Sequence, residues 1–195
     1  MLILMDCTDL TNHFLIAMPG MADPRFSKTL TFICEHNARG AIGVVVNKPI
    51  EVTLGELFEQ VGITITDHPL RSSPVYFGGP VMVDRGFVLH RPLGDWRSTL
   101  RVANVDGDVG LTTSRDILDA IASDDASAPG QLLVTLGYAG WGPGQLEDEM
   151  ARNGWITVSA RPDLIFNVPA EDRLTAAMGM LGLTYGNFTD AAGHA

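Results

Sequence analysis

Between Phe32 and Pro49 the chain runs as two short apolar segments joined by a polar turn, Phe32-Ile33-Cys34-Glu35-His36-Asn37-Ala38-Arg39-Gly40-Ala41-Ile42-Gly43-Val44-Val45-Val46-Asn47-Lys48-Pro49. This pattern admits little besides a β-hairpin. Thr29 to Glu35 alternates as a strand, with Leu30, Phe32 and Cys34 on one face and Thr29, Thr31, Ile33 and Glu35 on the other. His36 to Gly40 supplies the asparagine and glycine that a hairpin loop favours. Ala41 to Val46 returns as a near-continuous apolar run, the mark of a strand covered on both faces, and Asn47-Lys48-Pro49 ends it. The stretch also gathers a cysteine, a glutamate, a histidine and two asparagines, more chemistry than any other segment of β-forming sequence here.

Around it the elements alternate irregularly. The stretch from Leu10 begins with a polar turn and continues as a short, strand-like apolar run stopped by Pro19-Gly20. Thr53 and Glu56 form a capping box for a helix whose stripe is Leu54, Leu57, Phe58 and Val61, with Gly62 as its stop. Val75 to Phe77, Arg85 to His90, Leu100 to Val105 and Val109 to Thr112 follow as strands. A helix then opens at Thr113-Ser114-Arg115-Asp116, with Ile117, Leu118 and Ile121 facing inward. Gln131 to Tyr138 is a core strand, and Gly140-Trp141-Gly142-Pro143-Gly144 connects it to a helix near residues 145–152. Trp155 to Val158 and Leu164 to Phe166 are strand candidates. The final helix begins at Pro169, with the stripe Leu174, Ala177, Met178 and Leu181. Hairpins outnumber βαβ units, which predicts an α+β fold in one domain over residues 1–195, its last stretch, 183–195, a loosely ordered tail.

Composition narrows function. Thirteen basic against 23 acidic residues give a formal net charge of −10. Nucleic-acid affinity comes largely from Lys and Arg neutralising phosphates, so the charge argues against direct nucleic-acid binding and against docking on anionic membranes. The N-terminus lacks the basic start and long apolar run of a signal peptide, and no segment has the length of a spanning helix. The expected location is cytoplasmic, with Cys7 and Cys34 as free thiols.

Cys34-Glu35-His36 is the sharpest chemical candidate. On a regular strand Cys34 and His36 share a face while Glu35 points away, and an imidazolium nearby favours the reactive thiolate. Their separation of about 7 Å exceeds hydrogen-bonding reach, and the alternative is a core cysteine beside a turn. Cys7, Cys34, His13, His36, His68 and His90 include no close metal-ligand spacing, so no metal is expected. The Gly140–Gly144 connector lacks G-x-G-x-x-G, and Glu147, Asp148 and Glu149 after it would repel phosphate while favouring the helix dipole. Arg85-Gly86 offers an anion clamp or a solvated charge at a strand start, Thr112 to Ser114 offers hydroxyls or helix caps, and Trp141 with Tyr138 offers a partner anchor or half-buried core. No G-x-S-x-G elbow is present.

The motifs taken together resemble the AlgH/YqgE family of small, uncharacterised bacterial proteins. The resemblance runs through His13-Phe14-Leu15-Ile16-Ala17-Met18-Pro19, Asp23-Pro24-Arg25-Phe26, Cys34-Glu35-His36-Asn37 with Gly40 to Gly43, and Asn47-Lys48-Pro49. It continues through Gly78-Gly79-Pro80-Val81, Arg85 to His90, Leu111 to Leu118, Gly137 to Trp141 and Gly144-Gln145-Leu146-Glu147. It implies a mostly antiparallel, bifurcated or barrel-like sheet flanked by helices, with no established enzyme activity and no known cofactor. The family name carries an association with transcriptional control of alginate production. The acidic charge and the lack of a helix-turn-helix pattern oppose direct DNA binding, so regulation would pass through a protein or small-molecule contact.

The expected function is therefore that of a binding or regulatory protein, non-enzymatic as far as these residues show. The expected contact surface is Glu35, His36, Asn37, Asn47, Arg85, His90, Ser114, Trp141 and Gln145, grouped because they are polar or aromatic residues at element ends inside the family motifs. Alternatives are a Cys34-dependent enzyme or redox sensor, and a DNA-binding transcriptional regulator. Oligomeric state is left open, since an apolar edge strand could pair two chains.

Overall fold

Strand β9 (Gln131–Trp141) is where the sheet branches in the computed structural model, which describes residues 8–65 and 68–192. One edge of β9 pairs with β6 (Val81–Arg91) over residues 131–136 and again at Tyr138. The other edge is shared. Thr135 and Leu136 pair in parallel with β5 (Pro74–Phe77), and Ala139 to Trp141 pair antiparallel with β3 (Gly40–Val45).

From β3 the sheet continues through β2 (Leu30–Asn37) and β1 (His13–Ala17) to β10 (Trp155–Ser159). From β6 it continues through β8 (Gly110–Thr112) to β7 (Thr99–Arg101), while β4 (Pro49–Thr53) pairs with β5. The result is one domain with a ten-stranded, mostly antiparallel sheet that branches and curls into a half-barrel. This is the α+β architecture expected from the sequence.

The branch point demands glycine. Gly137 has φ +74°, and a Cβ there would lie 2.4 Å from the Gly79 carbonyl oxygen. At Gly79 a Cβ would meet the Tyr138 backbone at 2.1 Å. The Gly78-Gly79 turn thus crosses β9 backbone against backbone, which side chains would prevent.

Six helices lie against the sheet among the described residues: α1 (Leu54–Gln60), α2 (Arg115–Ala122), α3 (Gln145–Ala151), α4 (Pro162–Asn167), α5 (Ala170–Gly179) and α6 (Tyr185–Ala192). The capping box of α1 is formed, with Glu56 N–H donating to Thr53 Oγ1 and Thr53 N–H to Glu56 Oε2. Leu54, Leu57 and Phe58 are buried as the stripe requires, whereas Val61 is exposed. Helices α1 and α2 cover one apolar cluster with Val75, Val88 and Val134. Helices α4 to α6 cover the largest cluster, around Phe14, Phe32, Cys34 and Leu133. Helix α3 seats Leu146 against Leu15, Ile33, Trp141 and Trp155.

Several elements differ from the sequence reading. Leu164 to Phe166 is helical, within α4, because Pro162 occupies its first turn with Asp163 beside it, the arrangement that starts helices. Pro49 to Thr53 forms β4, an edge strand whose Ile50 and Val52 alternate with Glu51. Strand β9 runs through Gly140 to Trp141 before the loop to α3 begins. The tail holds α6, anchored by the buried Phe188. Cys7 lies outside the described residues, and Cys34 carries a free thiol. No helix among the described residues is long and apolar enough to cross a membrane.

Candidate functional site

The hairpin anticipated in the sequence is present and ends in a two-residue turn. Asn37 pairs with Gly40, His36 with Ala41 and Glu35 with Ile42, and Asn37 Oδ1 accepts the Arg39 N–H at 2.8 Å. Gly40 sits at φ +125°, and a Cβ on it would lie 2.1 Å from the Trp141 carbonyl oxygen, so only glycine lets the tip close against β9.

Within β2 the register slips. Ile33 pairs with Gly43, Glu35 pairs with Ile42, and Cys34 is the extra residue of a β-bulge. The bulge changes which residues share a face. Cys34 joins Phe32 in the largest core cluster, whereas His36 contacts Leu10 and α3 together with the cluster around Ile33. Regular alternation would have put Cys34 and His36 side by side, and the bulge separates them.

Beside the tip lies an open cleft of about 500 Å³. Ile42, Val81 and Tyr138 supply its apolar lining. Glu35, Asn37 and Arg39 contribute polar groups, and Gly40, Ala41, Gly140 and Trp141 complete it. Val81 leads into an excursion of β6: Val81 pairs with Tyr138 and Gly86 with Leu136, leaving residues 82–85 to bow outward. Met82 and Val83 on that bow are 52% and 56% exposed, and Asp84 and Arg85 are exposed beside them.

Behind the cleft, polar contacts that grade from buried to exposed hold the frame. His36 Nδ1 accepts the Leu10 N–H at 3.1 Å, so the neutral ring carries its proton on Nε2, which donates to Glu147 Oε1 at 3.0 Å. Glu149 Oε2 accepts both indole N–H groups, from Trp141 at 2.9 Å and from Trp155 at 2.8 Å. Its Oε1 accepts Gln145 Nε2, while Gln145 Oε1 accepts the Gly142 N–H. The two indoles meet edge to face, centroids 6.0 Å apart, and Phe26 stacks edge-on against Trp155 at 5.4 Å.

The residues grouped from sequence therefore divide. Glu35, Asn37 and Trp141 line the cleft, His36 braces it from β2 by bonding Glu147 of α3, Gln145 braces it from α3, and Arg85 belongs to the bow adjoining Val81. Asn47, His90 and Ser114 serve other places. Asn47 accepts the Leu30 N–H and donates to Lys28 O at the far end of the β2–β3 pair. Ser114 sits at the N-cap of α2, accepting the Ser98 N–H and donating to Asp116. His90 Nδ1 donates to Pro92 O at 3.0 Å, and its Nε2 accepts the Thr112 hydroxyl at 2.8 Å. Burial holds the pKa of His90 below its ordinary value.

Cys34 is 0% exposed, and burial raises its thiol pKa well above the usual cysteine range. Among the described residues no group of three or more His, Cys, Asp or Glu is placed to hold a metal ion. Sequence reasoning missed Ile42 and Val81 as cleft residues, and missed Glu147 and Glu149 as acceptors for His36 and the indoles. The one available signal was the Gln145/Glu149 pair, four apart on a helix.

With this geometry in view, comparison with known proteins is informative. The AlgH-like family model matches residues 14–186. The chain belongs to the AlgH-like family. A UPF0301 protein of Nitrosospira multiformis is 56% identical over 191 residues, covering 98% of this chain and all of the relative. One from Dechloromonas aromatica is 53% identical with the same coverage. Among solved structures, the solution structure of the AlgH protein from Pseudomonas aeruginosa superimposes with a TM-score of 0.78 at 44% identity, covering 97% of each chain. A Corynebacterium diphtheriae protein shares the fold at 20% identity, with a TM-score of 0.64 over 87% of this chain and 85% of its own.

Proposed function

We propose that this AlgH-like protein is a binding protein without covalent chemistry of its own, whose contact surface is the cleft at the tip of β2 and β3. The observation that carries this reading is the make-up of that surface. An apolar lining of Ile42, Val81 and Tyr138 lies beside Glu35, Asn37 and Arg39, and the exposed Met82 and Val83 extend it outward. Protein interfaces combine an apolar centre with a polar rim in this way, and exposed apolar side chains next to a concavity mark contact sites. The openness of the cleft and the bow beside it favour a segment of a protein partner over an enclosed small molecule.

The frame supports such a role. The tip is tied to α3 through His36–Glu147 and to β10 through the Trp141–Glu149–Trp155 contacts, so the surface is preorganised and loses little freedom on binding. A regulatory effect would then be exerted on a partner protein, in keeping with a net charge of −10 that disfavours phosphate backbones.

Affinity capture from host lysate tests this, using the wild-type chain beside Met82→Asp and Tyr138→Ala. Partners retained by wild type and lost by both variants would support the cleft, whereas identical captured sets would overturn it. A thermal-shift screen of metabolites runs in parallel. A small molecule whose stabilisation vanishes in Tyr138→Ala would move the reading from a protein segment to a metabolite.

A further inference from the structure

Helix α5 carries a guanidinium into the interior. Arg173 is 7% exposed; its Nε donates to Val168 O at 2.8 Å and its Nη1 to Val46 O at 2.6 Å. The guanidinium carbon lies 5.2 Å from the centroid of the Tyr76 ring. No carboxylate among the described residues lies within ion-pairing distance of it. A charge this deep is costly without an opposite charge, and two carbonyl dipoles with an aromatic face offset only part of that cost.

The uncompensated side of the guanidinium has somewhere to point. Arg173 and Tyr76 both line a cavity of about 140 Å³ between α4, α5 and strands β5 and β9. Neither Arg173 Nη2 nor the Tyr76 hydroxyl has a hydrogen-bond partner among the described residues, and neither is among the fully buried unsatisfied atoms, so each keeps accessible surface. The remaining walls are apolar, chiefly Leu54, Leu70, Leu132, Ile165 and Phe166, with the Ser73 hydroxyl the other side-chain polar group.

We infer that this cavity is a binding site for a small monocarboxylate bearing a short apolar tail. The carboxylate meets Arg173 Nη2 and the Tyr76 hydroxyl, supplying the missing negative charge through charge-assisted hydrogen bonds. The tail packs among the leucine, isoleucine and phenylalanine side chains. Charge and size set the class. No second cation lines the cavity, so a phosphate dianion would carry an unmatched charge against apolar walls. A volume of 140 Å³ equals the liquid volume of about five waters, below the range of drug-sized sites, so the ligand is an acid of benzoate or isovalerate size. The site shares no lining residue with the β2–β3 cleft, so either assignment can fail without the other.

Benzoate, benzamide and inorganic phosphate are the probes, titrated into the full chain while the methyl resonances of Leu70, Leu132 and Ile165 and the melting temperature are followed. Benzoate should shift those methyls saturably and raise the melting temperature, while benzamide and phosphate do neither. Tyr76→Phe should weaken benzoate about tenfold, the worth of one hydrogen bond to a charged group. Arg173→Met should abolish binding, and if that variant fails to fold, the Tyr76→Phe ratio carries the test. Benzamide binding as tightly as benzoate would reduce the site to an apolar void and overturn the inference. Phosphate binding in preference, or pocket methyls unmoved by benzoate in the wild-type chain, would overturn it equally.

Discussion

Cys34 and His36 stand two residues apart on one strand, yet the β-bulge at Cys34 sends the thiol into the largest core cluster and the imidazole to Leu10 and Glu147 of α3. Two residues that a regular strand would present together are thereby separated. What remains of the thiol's chemistry is set by burial alone, which raises its pKa.

Cys34 should therefore be inert in the native protein. Alkylation by iodoacetamide should proceed only at the rate of unfolding, and His36→Ala should speed it no more than its loss of stability explains. Mass spectrometry of pulse-labelled samples, with and without denaturant, reads this directly. Rapid native labelling that slows in His36→Ala would restore a reactive-thiol mechanism.

Glu149 should be a structural keystone of the cleft. One of its oxygens holds both indole N–H groups, so Glu149→Ala leaves two largely buried donors unpaired. An unpaired buried donor costs about 1–3 kcal/mol, and with two of them partly reached by water the loss should be about 2–4 kcal/mol. Glu149→Gln keeps one acceptor oxygen and should lose about half as much. Urea denaturation followed by tryptophan fluorescence measures both.

How far the sequence made this fold and site legible depended on whether the signal was local. The β2–β3 hairpin, the Thr53 capping box and the Leu174, Ala177 and Met178 part of the α5 stripe announced themselves through turn residues, a cap and a period, whereas Leu181 lies beyond the helix and is exposed. Glu35, Asn37 and Trp141 were legible as site candidates because polar and aromatic residues cluster where two strands end. The bulge at Cys34 leaves no mark in hydropathy, since Ile33, Cys34 and Glu35 continue an ordinary alternation. The shared edge of β9 depends on backbones meeting at Gly79 and Gly137, residues that otherwise read as loop and strand. Arg173 sits beside Leu174 on an amphipathic helix, where an arginine reads as a solvated charge. His90 and Ser114 stand at element ends as the cleft residues do but bond Pro92, Thr112, Ser98 and Asp116 instead, a distinction visible only in three dimensions.

Gly137→Ala should test the branch point itself. At φ +74° any side chain is strained, and here the added Cβ would lie 2.4 Å from the Gly79 carbonyl oxygen. The left-handed conformation alone costs about 1–2 kcal/mol, and the backbone contact adds to it, so the loss should exceed about 2 kcal/mol. The Gly79 turn and Val81 would have to shift, so variants that do fold should show altered amide resonances at Val81 and Tyr138. Gly20→Ala, at a glycine with nothing within 4 Å of the added carbon, is the control and should be near neutral.

His90 should make stability depend on pH in the mildly acidic range. Folded, its ring is neutral and fully engaged, because Nδ1–H donates to Pro92 O and Nε2 accepts the Thr112 hydroxyl, itself within 2.7 Å of the Thr99 hydroxyl. Burial lowers its pKa from the ordinary value of 6.5. Once the pH drops below about 6.5 the unfolded chain takes up a proton at this position that the folded chain does not. The stability His90 contributes is thus whole above that pH and drains as the pH falls toward the lower folded value. For a single proton the slope is bounded by about 1.4 kcal/mol per pH unit. Urea midpoints compared at neutral pH and at about pH 5.5 should fall more steeply for wild type than for His90→Gln, which titrates in neither state, and parallel slopes would show that His90 does not set this dependence.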